Sequence, residues 1–168
     1  MIGERGISKG MKRKLIVLLA IVIAAVAVLA GCGGAQEIKR PASDGTTFTV
    51  TGSCTAELSD GKLVVSGETN LMDGTNGIIS VLNSDGTRIE QQKITKEGDN
   101  LKAEFTVAED WPETVYGFIM FDTSKSDGQP DEVKQAYGKK FQNLVGDDLI
   151  WDKNGIIVVF QSEAVKIK

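Results

Sequence analysis

The chain has 168 residues, with 19 basic and 23 acidic side chains, two cysteines and no histidine. The absence of histidine excludes Ser-His-Asp and Cys-His catalysis, histidine-ligated zinc or copper sites and histidine pH sensing. Beyond residue 31, 14 basic and 22 acidic residues remain, a net charge of −8. A domain of that charge is not expected to bind nucleic acid through its net field.

The first predicted element is an export signal. Basic residues at 12–14 (KRK) precede an uninterrupted apolar run at 15–29, and two small residues then lead to Cys32. This order of basic, apolar and small residues is typical of a signal peptide. The run is shorter than the roughly 20 apolar residues of a membrane-spanning helix. An uncleaved N-terminal anchor helix is the alternative.

The run Leu29-Ala30-Gly31-Cys32 resembles the lipobox of bacterial lipoproteins, in which Leu, a small residue and Gly or Ala precede Cys. The resemblance implies cleavage before Cys32, a diacylglycerol joined to its sulfur by a thioether, and often acylation of the new amino terminus. Each buried methylene contributes about 0.8 kcal/mol, so two or more chains anchor a protein stably. The implied location is a membrane surface outside the cytoplasm. Translation begins at Met1 or Met11.

The rest of the chain divides into a linker and one domain. Residues 32–45 are rich in glycine, alanine and charge without an apolar period, which is typical of a flexible tether. Residues 46–168 are enough for a single domain with one core.

Asp-Gly pairs at 44–45, 60–61, 73–74, 85–86 and 127–128 separate short apolar segments. Such pairs favour tight turns because both residues tolerate positive φ, and a spacing of about 12 residues is typical of a β-sandwich. The predicted strands are, in chain order, 47–58, 62–69, 77–83, 87–95, 101–107, 115–121 and 155–160.

Alternation assigns faces to these strands. Segments 77–83 and 115–121 are apolar on both faces and are expected at the centre of a sheet, whereas the polar segment 87–95 is expected at an edge. Cys54 is expected to point inward as an inert hydrophobe, since no neighbour stabilises its thiolate. The first strand is expected to turn one set of side chains inward: Phe48, Val50, Cys54, Ala56 and Leu58.

One short helix is predicted near 130–138. Pro130 suits its first position, Asp131 and Glu132 complement its dipole, and Gly138 ends it. The expected fold is therefore all-β, an immunoglobulin-like two-sheet antiparallel β-sandwich of about 7–8 strands, preceded by an N-terminal signal helix. An open barrel is the alternative.

A second resemblance involves turn residues. The segment 67–75 (GETNLMDGT), followed by Gln129-Pro130 and by 143–146 (NLVG), resembles an uncharacterised group of small bacterial exported β-sandwich domains. It carries no implication about activity.

Acidic side chains supply one candidate site. Asp122, Asp127, Asp131 and Glu132 could hold calcium, which takes six to eight oxygen ligands. Their spacing matches no EF-hand, so a solvated loop that begins the helix is the alternative. Asp147, Asp148 and Asp152 flank Trp151 and could join this cluster if the two loops meet.

Trp111 and Trp151 supply a second candidate site, a platform for a sugar or another ligand. Two tryptophans that cap the core are the alternative. No cofactor other than the lipid on Cys32 and calcium is expected. The sequence favours a non-catalytic binding or adaptor module at the cell envelope, with a protein or an envelope polymer as partner. The alternatives are a structural accessory acting through a sheet edge near Ile89 and Gln91, a carbohydrate-binding module, and a small carboxylate-dependent enzyme.

Overall fold

The computed structural model describes residues 38–124 and 128–168, so the predicted signal and Cys32 lie outside the described residues. The described chain forms eleven strands and one helix. In chain order they are β1 (Phe48–Thr49), β2 (Gly52–Ser59), β3 (Lys62–Thr69), β4 (Asn76–Leu82), β5 (Arg88–Thr95), β6 (Asn100–Thr106), β7 (Thr114–Phe121), α1 (Asp131–Tyr137), β8 (Leu144–Val145), β9 (Leu149–Trp151), β10 (Ile156–Gln161) and β11 (Val165–Lys166).

Two antiparallel sheets form the sandwich. The large sheet has the order β5-β4-β7-β10-β9, with β11 also paired to β7, and the small sheet has the order β2-β3-β6. A third, two-residue pairing joins β1 and β8 in parallel. The predicted all-β sandwich with one short helix is confirmed, and the sheets are separate ladders rather than a barrel. The described strands exceed the predicted 7–8 because β1, β8, β9 and β11 are only two or three residues long.

The β2–β3 hairpin shows how the sequence sets the register. Its turn residues Asp60 and Gly61 both have positive φ, 50° and 74°, which suits the two-residue turn that matches the twist of the strands. From this turn the two strands pair without interruption from Ser59↔Lys62 to Gly52↔Thr69.

The core lies between the two sheets. Ile79, Ile119 and Val158 from the large sheet, and Leu63 and Val65 from the small sheet, are fully buried and belong to one cluster. Glycines let the sheets approach closely: a Cβ on Gly117 would lie 2.8 Å from Val65 Cγ1 and 3.0 Å from Ala56 Cβ. This contact fixes how the small sheet sits over β7.

Helix α1 packs into the same core. Its Val133 and Tyr137 are buried, and the Tyr137 hydroxyl accepts a hydrogen bond from the backbone of Met72 at 2.7 Å. Pro130 is the residue before the helix rather than its first residue, a difference of one position. Gly138 ends the helix with φ 83°, as predicted.

The central and edge strands are where the sequence places them. Strand β4 pairs on both sides and is buried at almost every position, and β7 also pairs on both sides. Strand β5 lies at the end of the large sheet and is mostly exposed.

The side chains at the two ends of the first predicted strand are not covered, although Leu58 shares the inner face with its partner Leu63. Val50 is buried and Cys54 and Ala56 are partly buried, but Phe48 and Leu58 are 40% and 44% exposed. Phe48 belongs to β1 and packs edge-on against Tyr137. Leu58 lies on an edge strand next to the turn, where the opposite sheet does not cover it.

The predicted tether is bound to the domain from Ile38 onward. Residues 38–47 form no helix or strand, yet Arg40 Nη2 donates to the Leu144 carbonyl at 2.6 Å and Ser43 Oγ donates to Asn143 Oδ1 at 2.8 Å. The Val50 N–H then donates to the Val145 carbonyl at 2.7 Å. We call residues 38–50 the strap. A freely moving linker that extends to residue 45 is therefore not what the structure shows.

Candidate functional site

The outer face of the large sheet is apolar. Because side chains alternate between the two faces of a strand, every second residue of β4, β7 and β10 points away from the small sheet. Register places Met120 between Ile78 and Val159, and Phe118 between Ser80 and Gln161. We call the nine residues on this side of the three central strands the large-sheet outer face: Ile78, Ser80, Leu82, Tyr116, Phe118, Met120, Ile157, Val159 and Gln161. The edge strand β5 adds the polar residues Gln91 and Lys93 to the same side, beside Ser80 and Ile78.

The outer face of the small sheet has the opposite character. Of its twelve positions on β2, β3 and β6, only Val64 is apolar, whereas seven of the nine positions on the three central strands of the large sheet are apolar. The other eleven are Ser53, Thr55, Glu57, Ser59, Lys62, Ser66, Glu68, Asn100, Lys102, Glu104 and Thr106. On this polar face Glu104 pairs with Lys62 and Lys102, and these two ammonium groups hold the pKa of its carboxyl below the ordinary value. A sandwich with one solvated sheet face is common, so the large sheet is the unusual one.

The apolar side chains of the large-sheet outer face stand apart from the core. Ile78, Leu82, Ile157 and Val159 are buried, but none belongs to the cluster between the sheets. The larger side chains of β7 on this face, Tyr116 among them, are partly exposed. Strand β7 therefore presents a partly accessible apolar strip between its smaller neighbours.

Strand β5 is a poor template for strand addition. Its ladder with β4 shifts register between Val81 and Leu82, which marks a bulge, and it carries Arg88, Glu90 and Lys93. Bulges and charged side chains are devices that protect sheet edges from pairing with another chain. Gln92 also donates from its side chain to the Glu104 carbonyl of β6 at 2.7 Å, which ties this edge to the small sheet.

In the described part of the chain, the side chains of the first acidic cluster do not converge on one metal-coordination site. Asp122 is 2% exposed, whereas Asp131 projects into solvent and pairs with Lys134 at 3.1 Å, and Glu132 is exposed. Across 38–124 and 128–168, no three acidic or cysteine side chains are placed to hold a metal ion. Asp127 lies outside those ranges, so the complete four-residue calcium site stays a prediction.

The second acidic cluster surrounds a hairpin turn. Asp152 Oδ1 accepts hydrogen bonds from the backbone of Asn154 at 2.7 Å and of Gly155 at 3.2 Å, so its carboxylate stabilises the β9–β10 turn. The Asp148 carbonyl accepts from the Val159 N–H at 2.9 Å. These roles are structural ones.

The two tryptophans have different environments. Trp111 is 6% exposed and belongs to the core cluster, so its ring is not available as a platform and instead caps the core. Trp151 is 44% exposed, and its Nε1 donates to the Ile38 carbonyl of the strap at 3.0 Å. Of the two predicted platform residues, only Trp151 presents its ring to solvent.

Cys54 is the free cysteine of the described residues, and Cys32 lies outside them. Burial raises the pKa of the Cys54 thiol to about 12, although a hydrogen bond from the Ser162 backbone partly opposes this. A thiol with that pKa is not a nucleophile near neutral pH because the thiolate is the reactive form. The structure agrees with the inert role predicted for Cys54.

A small cavity lies where the strap meets the helix. Its volume is about 270 Å³, and Phe48, Asn70 and Tyr137 are among the residues that line it. Asn70 uses its amide to bridge the strap and β3, accepting from the Thr51 N–H at 2.9 Å and donating to the Thr49 carbonyl at 2.8 Å. Its polar groups are therefore committed to holding the strap.

Neither the family models, nor the curated proteins, nor the solved structures that were searched match this chain. Within the described residues, no helix has the length and apolarity needed to cross a membrane. The sequence signal for the large-sheet outer face was the pair of segments that are apolar on both faces, which indicated central strands but not a surface. The strap had no comparable signal, because its partners are about 100 residues away in the chain.

Proposed function

We propose that this protein is an exported lipoprotein, anchored through Cys32, that acts as a non-catalytic binding module of the cell envelope. Its binding surface is the large-sheet outer face, and its partner is another protein with a matching apolar surface. The observation that carries this proposal is the contrast between the two outer faces, apolar on the large sheet and polar on the small sheet.

A protein partner fits the chemistry of this face. Contiguous apolar surface outside the core marks interaction sites in soluble domains, and aromatic and methionine side chains are enriched in such interfaces. The face offers Tyr116, Phe118 and Met120 for this purpose and has no charged residue among its nine positions. An apolar surface of this kind does not suit a highly charged polymer.

The alternative partner surface is the β5 edge, as in a structural accessory subunit. Its position at the end of the large sheet favours this alternative. The bulge, the three charged side chains and the Gln92 tie to β6 favour the outer face instead.

Photo-crosslinking in intact native cells tests the binding surface. A photoreactive residue is placed at Phe118 on the outer face, at Thr55 on the polar face of the small sheet, and at the exposed Glu90 on the β5 edge, which pairs with Val81 and so lies on the other side of the sheet from Phe118. We expect an adduct of one defined mass from position 118 and none from position 55, and we expect Met120→Lys to remove it. An adduct from position 90 alone would establish the edge instead, and equal labelling at all three positions would refute a specific surface.

Thiol titration tests the lipid anchor independently. After reduction and denaturation, a chain whose Cys32 sulfur is in a thioether has one reactive thiol, that of Cys54, and an unmodified chain has two. We expect one thiol per chain, with a mass that corresponds to cleavage before Cys32 and added acyl chains. Two thiols on an intact chain would refute the anchor.

A further inference from the structure

Two exposed apolar residues, Ile38 and Trp151, are hydrogen-bonded to each other where the described chain begins. Ile38 is 49% exposed and Trp151 is 44% exposed, and the Trp151 indole N–H donates to the Ile38 carbonyl at 3.0 Å. Only two other large hydrophobic residues in the described part of the chain are this exposed, Phe48 and Leu58. We call Ile38 and Trp151 the entry pair.

The entry pair is held rigidly relative to the sandwich. Trp151 is in β9, paired with Ile156 of β10, and Asp152 closes the hairpin that follows. On the strap side, Arg40 is hydrogen-bonded to the Leu144 carbonyl at 2.6 Å. The position of the entry pair is therefore set by the fold and not by a loose linker.

Chain length places this pair close to the expected lipid. Only five residues lie between Cys32 and Ile38, and the six Cα-to-Cα steps from Cys32 to Ile38 span at most about 20 Å when fully extended. A domain of about 130 residues has a radius of gyration of about 14 Å, so its diameter exceeds that reach. A lipid on Cys32 consequently brings the side of the domain that carries Ile38 to the membrane.

The chemistry of the entry pair suits the boundary between lipid and water. Tryptophan is enriched at membrane interfaces because its ring is apolar and its N–H is polar. The flanking charges are mixed, since Lys39 follows Ile38 in the chain, and Asp148, Asp152 and Lys153 lie within three residues of Trp151. Contact is therefore expected to depend on apolar insertion more than on attraction to anionic headgroups.

From these observations we infer that Ile38 and Trp151 form a membrane-contact surface, which inserts into the headgroup region of the bilayer that holds the lipid anchor. The inference rests on the proposed lipidation of Cys32. It adds which side of the domain faces the membrane. The strap and β9 then hold the domain in one orientation on the membrane surface, which a flexible linker would not do.

Fluorescence quenching by brominated lipids tests the inference. The full chain is produced in its native host, purified as processed there, and reconstituted into vesicles of phosphatidylethanolamine and phosphatidylglycerol with bromine near the headgroup end of the acyl chains. We expect the wild-type emission to shift to the blue and lose intensity. Trp151→Phe leaves only the buried Trp111 as a reporter, and we expect that variant to lose no intensity.

A matched control moves the reporter to another surface. Leu58 is 44% exposed, the same fraction as Trp151, but lies on the small sheet beside the Asp60–Gly61 turn. Leu58→Trp combined with Trp151→Phe is therefore expected to show no quenching. Raising the salt concentration is expected to leave the wild-type quenching unchanged.

The possible failures are distinguishable. Mass analysis of the same sample shows whether Cys32 carries lipid. A lipidated, vesicle-bound protein whose emission is quenched no more than that of Trp151→Phe, or no more than that of the Leu58→Trp control, overturns the membrane-contact surface and leaves the anchor intact. An unmodified chain that stays off the vesicles overturns the anchor and this inference with it.

Discussion

Two phenylalanines on β7 test whether the large-sheet outer face is separate from the core. Phe121 is fully buried between the sheets, whereas Phe118 lies on the outer face and is partly exposed. The same substitution, Phe→Ala, applied to each residue compares the two environments within one strand.

The structure gives different magnitudes for the two variants. Phe121 lies in a closed core, and a Cβ on Gly77 would already lie 2.6 Å from its ring. Its replacement leaves a cavity, and such changes cost about 3–5 kcal/mol. Phe118→Ala loses cross-strand contacts with Ser80 and Gln161 and part of its burial, without an enclosed cavity, which corresponds to about 1–2 kcal/mol.

Thermal unfolding of the full chain, followed by circular dichroism, measures the difference. For a domain of this size, 1 kcal/mol shifts Tm by about 3–5 °C. We therefore expect a decrease of about 9–25 °C for Phe121→Ala and about 3–10 °C for Phe118→Ala. If Phe121→Ala does not fold, Phe121→Leu and Phe118→Leu form a milder pair. Equal decreases at both positions would mean that the outer face is a second core, and the argument for a binding surface would be wrong.

Three further predictions concern the core, an ion pair and the partly buried Cys54 thiol. Gly117→Ala places a methyl group against Val65 and should lower the free energy of unfolding by about 1–3 kcal/mol. Gly45→Ala is the control, because its Cβ meets only Asn143 Nδ2 at 3.4 Å and the free energy of unfolding should change little. Equal Tm values for the two variants would contradict the close approach of the sheets. Asp73 pairs with the buried Lys96 at 2.7 Å, and that hydrogen bond lowers the pKa of its carboxyl. The stabilisation from this ion pair is therefore present above the ordinary carboxyl pKa and is lost as pH falls through the lowered pKa of Asp73. Asp73→Asn should be less stable than wild type at neutral pH and as stable as wild type in strong acid. Chemical denaturation of both proteins at each pH measures this. Cys54 should resist a thiol reagent in the native protein at neutral pH and react with it after denaturation. Because its pKa is raised to about 12, its contribution to stability should decline as pH rises above about 9. Fast labelling of the native protein would show instead that the side chain is accessible.

The order of the strands and their positions in the sheets could be predicted because those features are recorded in local patterns. Alternation in 101–107 predicted β6, whose side chains are alternately exposed and buried. The Asp60–Gly61 turn predicted the register of the β2–β3 hairpin, and the polar segment 87–95 predicted an edge. Each of these signals spans fewer than about ten residues.

Features that depend on distant partners could not be predicted in this way. The composition of residues 38–45 is that of a flexible tether, but hydrogen bonds to Asn143 and Leu144 hold it in place. Trp111 and Trp151 both occur beside turns, and only the three-dimensional structure separates the buried ring from the exposed one. In the sequence, the only sign of the large-sheet outer face is that segments 77–83 and 115–121 are apolar on both faces. A second layer of helices or strands covering that face would give the same pattern.

The strap has a consequence for the order of folding. Its hydrogen bonds to residues 143–151 join positions that are 95 to 113 residues apart, from Val50–Val145 to Ile38–Trp151. Contacts of such long sequence separation form late, since the intervening loop must close first. Since a polypeptide is made from its amino terminus, residues 38–50 are made first, and their partners at 143–151 follow only after most of the domain has been made. Docking of the strap is therefore expected to be the last step in the folding of the domain.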